Sequence, residues 1–178
     1  MGDATSVSSI RRNRGLSLTA LGRPERVISV RHDETTSAWF DMHAFPYVNA
    51  NDEDPVHLYE SARLINAVIA AERSELIRTL RQRGGMRSLP EHERVASTQW
   101  ADANDVDDGE LGTKAERVWA SSRIVLAGFS QGAVMTLLAG LTAQDRLAGL
   151  VVLSGFMPLR SKLATVRLAF KVLCEGHS

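Results

Sequence analysis

Ile124-Val125-Leu126-Ala127-Gly128-Phe129-Ser130-Gln131-Gly132-Ala133-Val134-Met135 opens a stretch of 21 residues, Ile124 to Gln144, that carries no charge. That length would suit a bilayer span, which needs about 20 apolar residues. Gly128, Ser130, Gln131, Gly132, Thr136 and Gly140 interrupt it, however. They divide it into an apolar strand, Ile124 to Ala127, a glycine-bounded corner, and an apolar helix from Gln131 to Thr142. A second apolar strand is expected at Leu150 to Leu153. Strand, helix and strand, with both strands almost continuously apolar, is the pattern of a parallel sheet covered on both faces, so the expected fold class is α/β.

The corner Gly128-Phe129-Ser130-Gln131-Gly132 fits G-x-S-x-G and stands between a strand and a helix, where a nucleophile elbow must stand. A turn this tight forces Ser130 into a strained backbone conformation. It also leads us to expect that a side chain at either 128 or 132 would collide with its surroundings. The serine hydroxyl is then presented at the carboxyl end of the strand. The helix that follows aims free N–H groups at the same point, so the amide of Gln131 is placed to stabilise an oxyanion.

Upstream of the corner, the pattern tightens from Ala115, with a short helix expected around Val118-Trp119. Residues 84 to 113 contain Pro90 and the acidic cluster Asp102, Asp105, Asp107, Asp108 and Glu110, and read as a surface insertion. The acids lack the alternating spacing of a calcium-binding loop. Before them, Asp54-Pro55 gives a helix cap and first turn. Leu58, Ala62, Ile65, Ile69, Leu76 and Leu80 then recur at helical spacing until Gly84-Gly85, which predicts a long amphipathic helix lying on a sheet. Val27 to Val30 is the first expected strand. Residues 1–26 read as a loose Ser/Arg-rich arm and 27–178 as the globular domain. Six arginines against Asp3 and Glu25 leave residues 1–31 with a formal charge of +4. Met1-Gly2-Asp3-Ala4-Thr5-Ser6 fits the short myristoylation pattern, and the Arg/Ser composition also fits a transit segment, whereas no apolar core of a secretory signal is present.

The whole chain has 178 residues, 21 basic against 21 acidic, and is 44% apolar, which describes one globular domain. A neutral balance supplies no field to hold polyanions, so nucleic acid is not expected as a partner. The single cysteine, Cys174, cannot form an internal disulfide and fits a reducing, cytoplasmic compartment. His32, His43, His57 and His92 have no paired spacing, so no metal site is expected.

The elbow block, with Leu147-Ala148-Gly149-Leu150 and Ser154-Gly155-Phe156-Met157-Pro158-Leu159 downstream and Ala38-Trp39-Phe40-Asp41 upstream, resembles the acyl-protein thioesterase family, also described as lysophospholipase or carboxylesterase. The resemblance covers about residues 27 to 72 and 117 to 160. It implies an α/β-hydrolase-like fold, a mainly parallel sheet with helices on both faces. It also implies an enzyme that removes long acyl chains, chiefly palmitate, from protein cysteine thioesters, with activity on lysophospholipids and simple esters. Its partners would be S-acylated proteins or small acyl esters, with peripheral membrane contact. Carried over to matching positions, Ser130 is the nucleophile, the Gln131 amide is one arm of the oxyanion hole, and Trp39 helps to line the acyl site. Such chemistry needs a nucleophile, a base and oxyanion donors beside an apolar channel, and no metal or organic cofactor.

Two departures from the family are expected. In this fold the order is Ser, acid, His, and the acids after Ser130 are Asp145 and Glu175. Asp145 lies some 20 Å along the helix that the serine begins, at about 1.5 Å per residue, too far to serve. Glu175 is two residues before His177 and poorly placed to meet that ring from behind. Ala169 to Ser178 resembles the family's final segment, which makes His177 the base and leaves out a stretch between Leu159 and Ala169. Alternatively, Val172 to His177 matches an earlier strand that ends in His-Gly. No counterpart of the family's first strand, or of its His-Gly-x-Gly-Asp-like loop carrying the second oxyanion donor, precedes Trp39.

Overall fold

The computed structural model describes residues 7–12, 16–44, 53–99 and 112–162. The decisive stretch folds as a β-α-β unit: β5, Val125–Phe129, then α4, Gln131–Thr142, then β6, Gly149–Leu153. The strands preceding it in the chain are β1, Val7–Arg12, β2, Leu16–Leu21, β3, Glu25–Ile28, and β4, Glu34–Ser37. Among the described residues, three α-helices lie between β4 and β5: α1, Pro55–Gln82, α2, Glu91–Thr98, and α3, Lys114–Ser121.

β5 and β6 pair in parallel, with Val125 opposite Gly149 and Phe129 opposite Leu153. The parallel direction follows from the crossover, because α4 carries the chain back along the sheet before the second strand starts. α4 is apolar nearly all round, as a helix enclosed between layers must be. Val134, Met135, Leu138 and Ala139 are buried among Leu58, Ile65 and Ile69 of α1 and Leu147. α1 therefore packs chiefly against α4 and α3. Its start is fixed by Asp54, whose carboxylate accepts from the His57 N–H, with Pro55 in the first turn.

Several expectations are corrected. The first expected strand, Val27 to Val30, is instead Glu25–Ile28, and Ser29–Arg31 form a 3-10 turn. It pairs antiparallel with β4. The arm 1–26 contains an antiparallel hairpin, β1 with β2, because the alternation Leu16-Ser17-Leu18-Thr19 supports a pleated strand. Thr19 ties that hairpin to α1 by donating to Glu72 Oε1 at 2.6 Å. The insertion expected at 84–113 begins as structure, since α2 packs on α3 and both Trp119 Nε1 and Arg123 donate to Glu93. The acidic cluster at 102–110 lies outside the described residues. Among the described residues, α4 covers one face of the β5–β6 sheet and no second layer covers the other. No helix among them is long and apolar enough to cross a membrane.

Candidate active site

Ser130 occupies the turn between β5 and α4 with φ 54° and ψ −121°, a backbone conformation that costs a non-glycine residue roughly 1–3 kcal/mol. The conformation is held from three directions. The Ser130 N–H donates to the Leu153 carbonyl of β6 at 2.9 Å, and its own carbonyl accepts from the N–H groups of Ala133 and Val134. Ser130 therefore acts as the N-cap of α4 through its main chain alone, leaving the hydroxyl free of any capping duty.

The two motif glycines are not equivalent. A Cβ on Gly128 would lie 2.1 Å from the carbonyl oxygen of Gly132, which no relaxation of a side chain could relieve. A Cβ on Gly132 would meet Trp39 Nε1 at 4.0 Å, an ordinary contact. The expected collision at 132 is thus corrected, because the first turn of α4 leans its backbone over Gly128 while Gly132 faces the indole of Trp39.

Gln131 is the first residue of α4, so its main-chain N–H has no intrahelical acceptor and points out of the helix start beside Ser130. Its side chain reaches the Trp39-Phe40 backbone: Oε1 accepts from the Trp39 N–H at 3.0 Å, and Nε2 donates to the Phe40 carbonyl at 3.0 Å. Ser61 of α1 donates to the Trp39 carbonyl at 2.5 Å, and the Asp41 N–H donates to Asp54 Oδ2 at 2.9 Å. Phe40 then meets Phe156 edge to face, with ring centroids 6.4 Å apart. Trp39 and Phe40 are both buried. This side-chain stitching was missed in the sequence, where the only usable signal was an amide residue directly after the serine.

Trp39 lines a cavity of about 690 Å³ enclosed by Ser17–Leu21 of β2, one flank of α1, β5 and the first turns of α4. Its walls are mainly apolar, including Leu18, Leu21, Ile65, Ile69, Leu126 and Met135, with Glu72, Arg123 and Thr136 as polar members. Gly132 also lines it, which brings it within two residues of Ser130.

Asp145 is engaged elsewhere. Its Oδ2 accepts from Arg73 at 2.7 Å, and Arg73 also reaches Gln144 at 3.2 Å. Arg73 is 5% exposed, so the acid neutralises a buried guanidinium at the far end of α4. Asp54, by contrast, is a held acid near the site. Burial raises its pKa, but the N–H of Asp41 together with the ring and N–H of His57 outweigh this and keep the carboxyl below the usual carboxylate range. His57 Nδ1 bonds to Asp54 Oδ2, and His43 Nε2 lies 3.4 Å from Asp41 Oδ2. Among the described residues no group of three or more His, Cys, Asp or Glu is placed to hold a metal ion. His177, Glu175 and Cys174 lie outside the described residues.

Residues 103–177 match the Phospholipase/Carboxylesterase family. Acyl-protein thioesterase 1 of Mycosarcoma maydis is 53% identical over 47 residues, 26% of this chain and 20% of that protein. Acyl-protein thioesterase 1 of Cryptococcus neoformans is 26% identical over 141 residues, 79% of this chain and 42% of that protein. A crystal structure of a SOBER1 variant of Arabidopsis thaliana superposes with a TM-score of 0.50 at 17% identity, over 82% of this chain and 50% of that one. The chain is acyl-protein thioesterase-like with an α/β-hydrolase-like fold, and it spans less than half the length of the curated relatives it matches.

Proposed function

We propose that this acyl-protein thioesterase-like chain is a serine hydrolase in which Ser130 attacks the carbonyl carbon of a long-chain, palmitoyl-type thioester on a protein cysteine. Small acyl esters and lysophospholipids, met through peripheral membrane contact, are further substrates on this reading. The observation that carries it is the backbone of Ser130, held at φ 54° at the mouth of α4 with its hydroxyl unused for capping. Strain of this kind persists only where the surroundings enforce it, and the elbow is enforced by β6 and by the close approach at Gly128. In the reaction Ser130 Oγ bonds to the acyl carbon while its proton passes to a base, for which His177 is the candidate. The oxyanion lies against the Gln131 N–H. The carbon–sulfur bond then breaks, the thiol leaves with the proton, and water releases the acyl group from Ser130.

The test is labelling with a fluorophosphonate probe, comparing the wild-type protein with Ser130→Ala. Labelling that Ser130→Ala abolishes supports the reading, after which hydrolysis of a palmitoyl thioester and its loss in His177→Ala define substrate and base. A folded wild-type protein that takes no label overturns it. A second reading has its own observation: Asp145 is sequestered by Arg73, so the acid that should orient a catalytic histidine is not supplied by the described residues after Ser130. On that reading the chain binds acyl groups without turnover, and a palmitoyl ligand should bind while the probe does not react.

A further inference from the structure

An amide side chain is not required by the nucleophile motif at the position after the serine, where only the main-chain N–H has a chemical task. Here both ends of the side-chain amide are nevertheless engaged. Trp39 is 6% and Phe40 3% exposed, so the Trp39 N–H and the Phe40 carbonyl have no ready access to water. Leaving either unpaired would incur a desolvation penalty. Gln131 satisfies both, acting as a substitute strand edge: one acceptor and one donor, at 3.0 Å each. The roles are fixed by the partners, since an N–H demands the oxygen and a carbonyl demands the NH2.

The same contacts act back on α4. The main-chain N–H of Gln131 belongs to the unpaired first turn, and the Ser130 side chain makes no capping bond there. Its direction is therefore set by the anchoring of its own residue, and Gln131 is anchored to a segment that Ser61 and Asp54 fasten to α1. We propose that Gln131 is a positioning residue whose side-chain amide clamps the Trp39-Phe40 backbone and thereby keeps its own N–H aimed at the oxyanion and the Trp39 indole against the elbow. The proposal rests on the serine-hydrolase reading above and adds to it a side-chain role for the residue after the nucleophile.

The test separates the maximal inactivation rate from the half-saturating concentration of a fluorophosphonate probe. Gln131→Glu retains an acceptor for the Trp39 N–H but, ionised, has no donor for the Phe40 carbonyl. Gln131→Met fills similar space and offers neither. Both variants should lower the maximal rate by about 10- to 100-fold, short of the 10²- to 10³-fold that outright loss of an oxyanion donor brings. The half-saturating concentration should change by less than about twofold. Relative to wild type at the same pH, Gln131→Glu should recover as pH falls towards the carboxylate range near about 4.3, because a protonated carboxyl again offers a donor and an acceptor. Gln131→Met should not recover. Ser61→Ala, which loosens the same segment at its other anchor but leaves the Gln131 amide in place, should lower the maximal rate by less than either Gln131 variant. Unchanged rates in both Gln131 variants, or an equal loss in Ser61→Ala, would overturn the clamp. A wild-type protein that takes no label fails the hydrolase reading itself and is distinguished by that.

Discussion

At the scale of single residues, the elbow depends on Gly128 far more than on Gly132, though the motif writes them alike. A methyl on Gly128 would sit 2.1 Å from a backbone carbonyl oxygen, so the turn itself would have to move. Gly128→Ala should cost about 3 kcal/mol or more, at the upper end of overpacking effects. Gly132→Ala meets open contact at 4.0 Å and replaces glycine in a helix, where alanine is favoured by up to about 1 kcal/mol. Urea denaturation of the two variants should therefore give midpoints on opposite sides of wild type, and a loss at Gly132 as large as that at Gly128 would refute the asymmetry. The serine and the strain at its backbone were legible from five residues. Which glycine bears the strain was not, because it depends on the tilt of α4 over the strand.

At the scale of elements, α1 shows how a sequence signal for an end can be complete while its partner is not. Asp54-Pro55 reads as a cap, and Asp54 caps the helix, but the same carboxylate also holds the Asp41 N–H and the His57 ring. Its lowered pKa has a definite sign in stability. The contribution of the ionised carboxylate is present in full above its unfolded pKa, near 3.8, and is lost as pH falls through the lower folded value. Asp54→Ala should destabilise the protein by about 1 to 2 kcal/mol at pH 7. The difference from wild type should shrink as pH falls below about 3.8, measured by denaturation at each pH. A difference that grows on acidification would reverse the assignment. The sequence pattern places α4 at Gln131 to Thr142, where the structure has it, because its apolar run is bounded by the elbow. The far end of α4 carries the buried Arg73–Asp145 pair, 2.7 Å apart, which no periodicity in the sequence announces. Removing one partner of such a pair leaves a buried charge and costs about 3 to 5 kcal/mol. Arg73 here also reaches Gln144, while Arg117 Nε, 3.9 Å from the same oxygen, loses that carboxylate too, so the loss in Asp145→Ala should fall within that range. If Asp145 has only this role, labelling of Ser130 in the folded Asp145→Ala protein should equal wild type. A fall in labelling at full folding would return Asp145 to the site.

At the scale of the whole molecule, local order was legible and layering was not. The strand-helix-strand unit, the long helix and the elbow all follow from patterns within some twenty residues. The cavity joins β2, α1, β5 and α4, which are far apart in sequence, and its existence depends on the N-terminal hairpin being a hairpin rather than a loose arm. The apolar strands implied cover on both faces, yet Val125, Ala127 and Phe129 of β5 and Val151 and Leu153 of β6 share one face and are all exposed, Phe129 at 71% and Val125 at 58%. Their register places them in adjacent rows, so they form one contiguous apolar patch of the kind that binds hydrophobic dyes. The opposite face is covered by α4, with the apolar cavity at its edge as a second place for a dye. In solution the chain should therefore enhance the fluorescence of an anilinonaphthalene sulfonate dye while it remains folded. The paired substitution Val125→Thr and Val151→Thr, which preserves β-branched shape on the sheet, should reduce that enhancement by about half with little change in stability. Val125 also borders the cavity, whereas Val151 does not, and neither position belongs to the elbow, so labelling of Ser130 provides the control that the fold is intact. A native protein that does not enhance the dye would show that this face is covered in solution, and the expectation of a sheet covered on both faces would then stand.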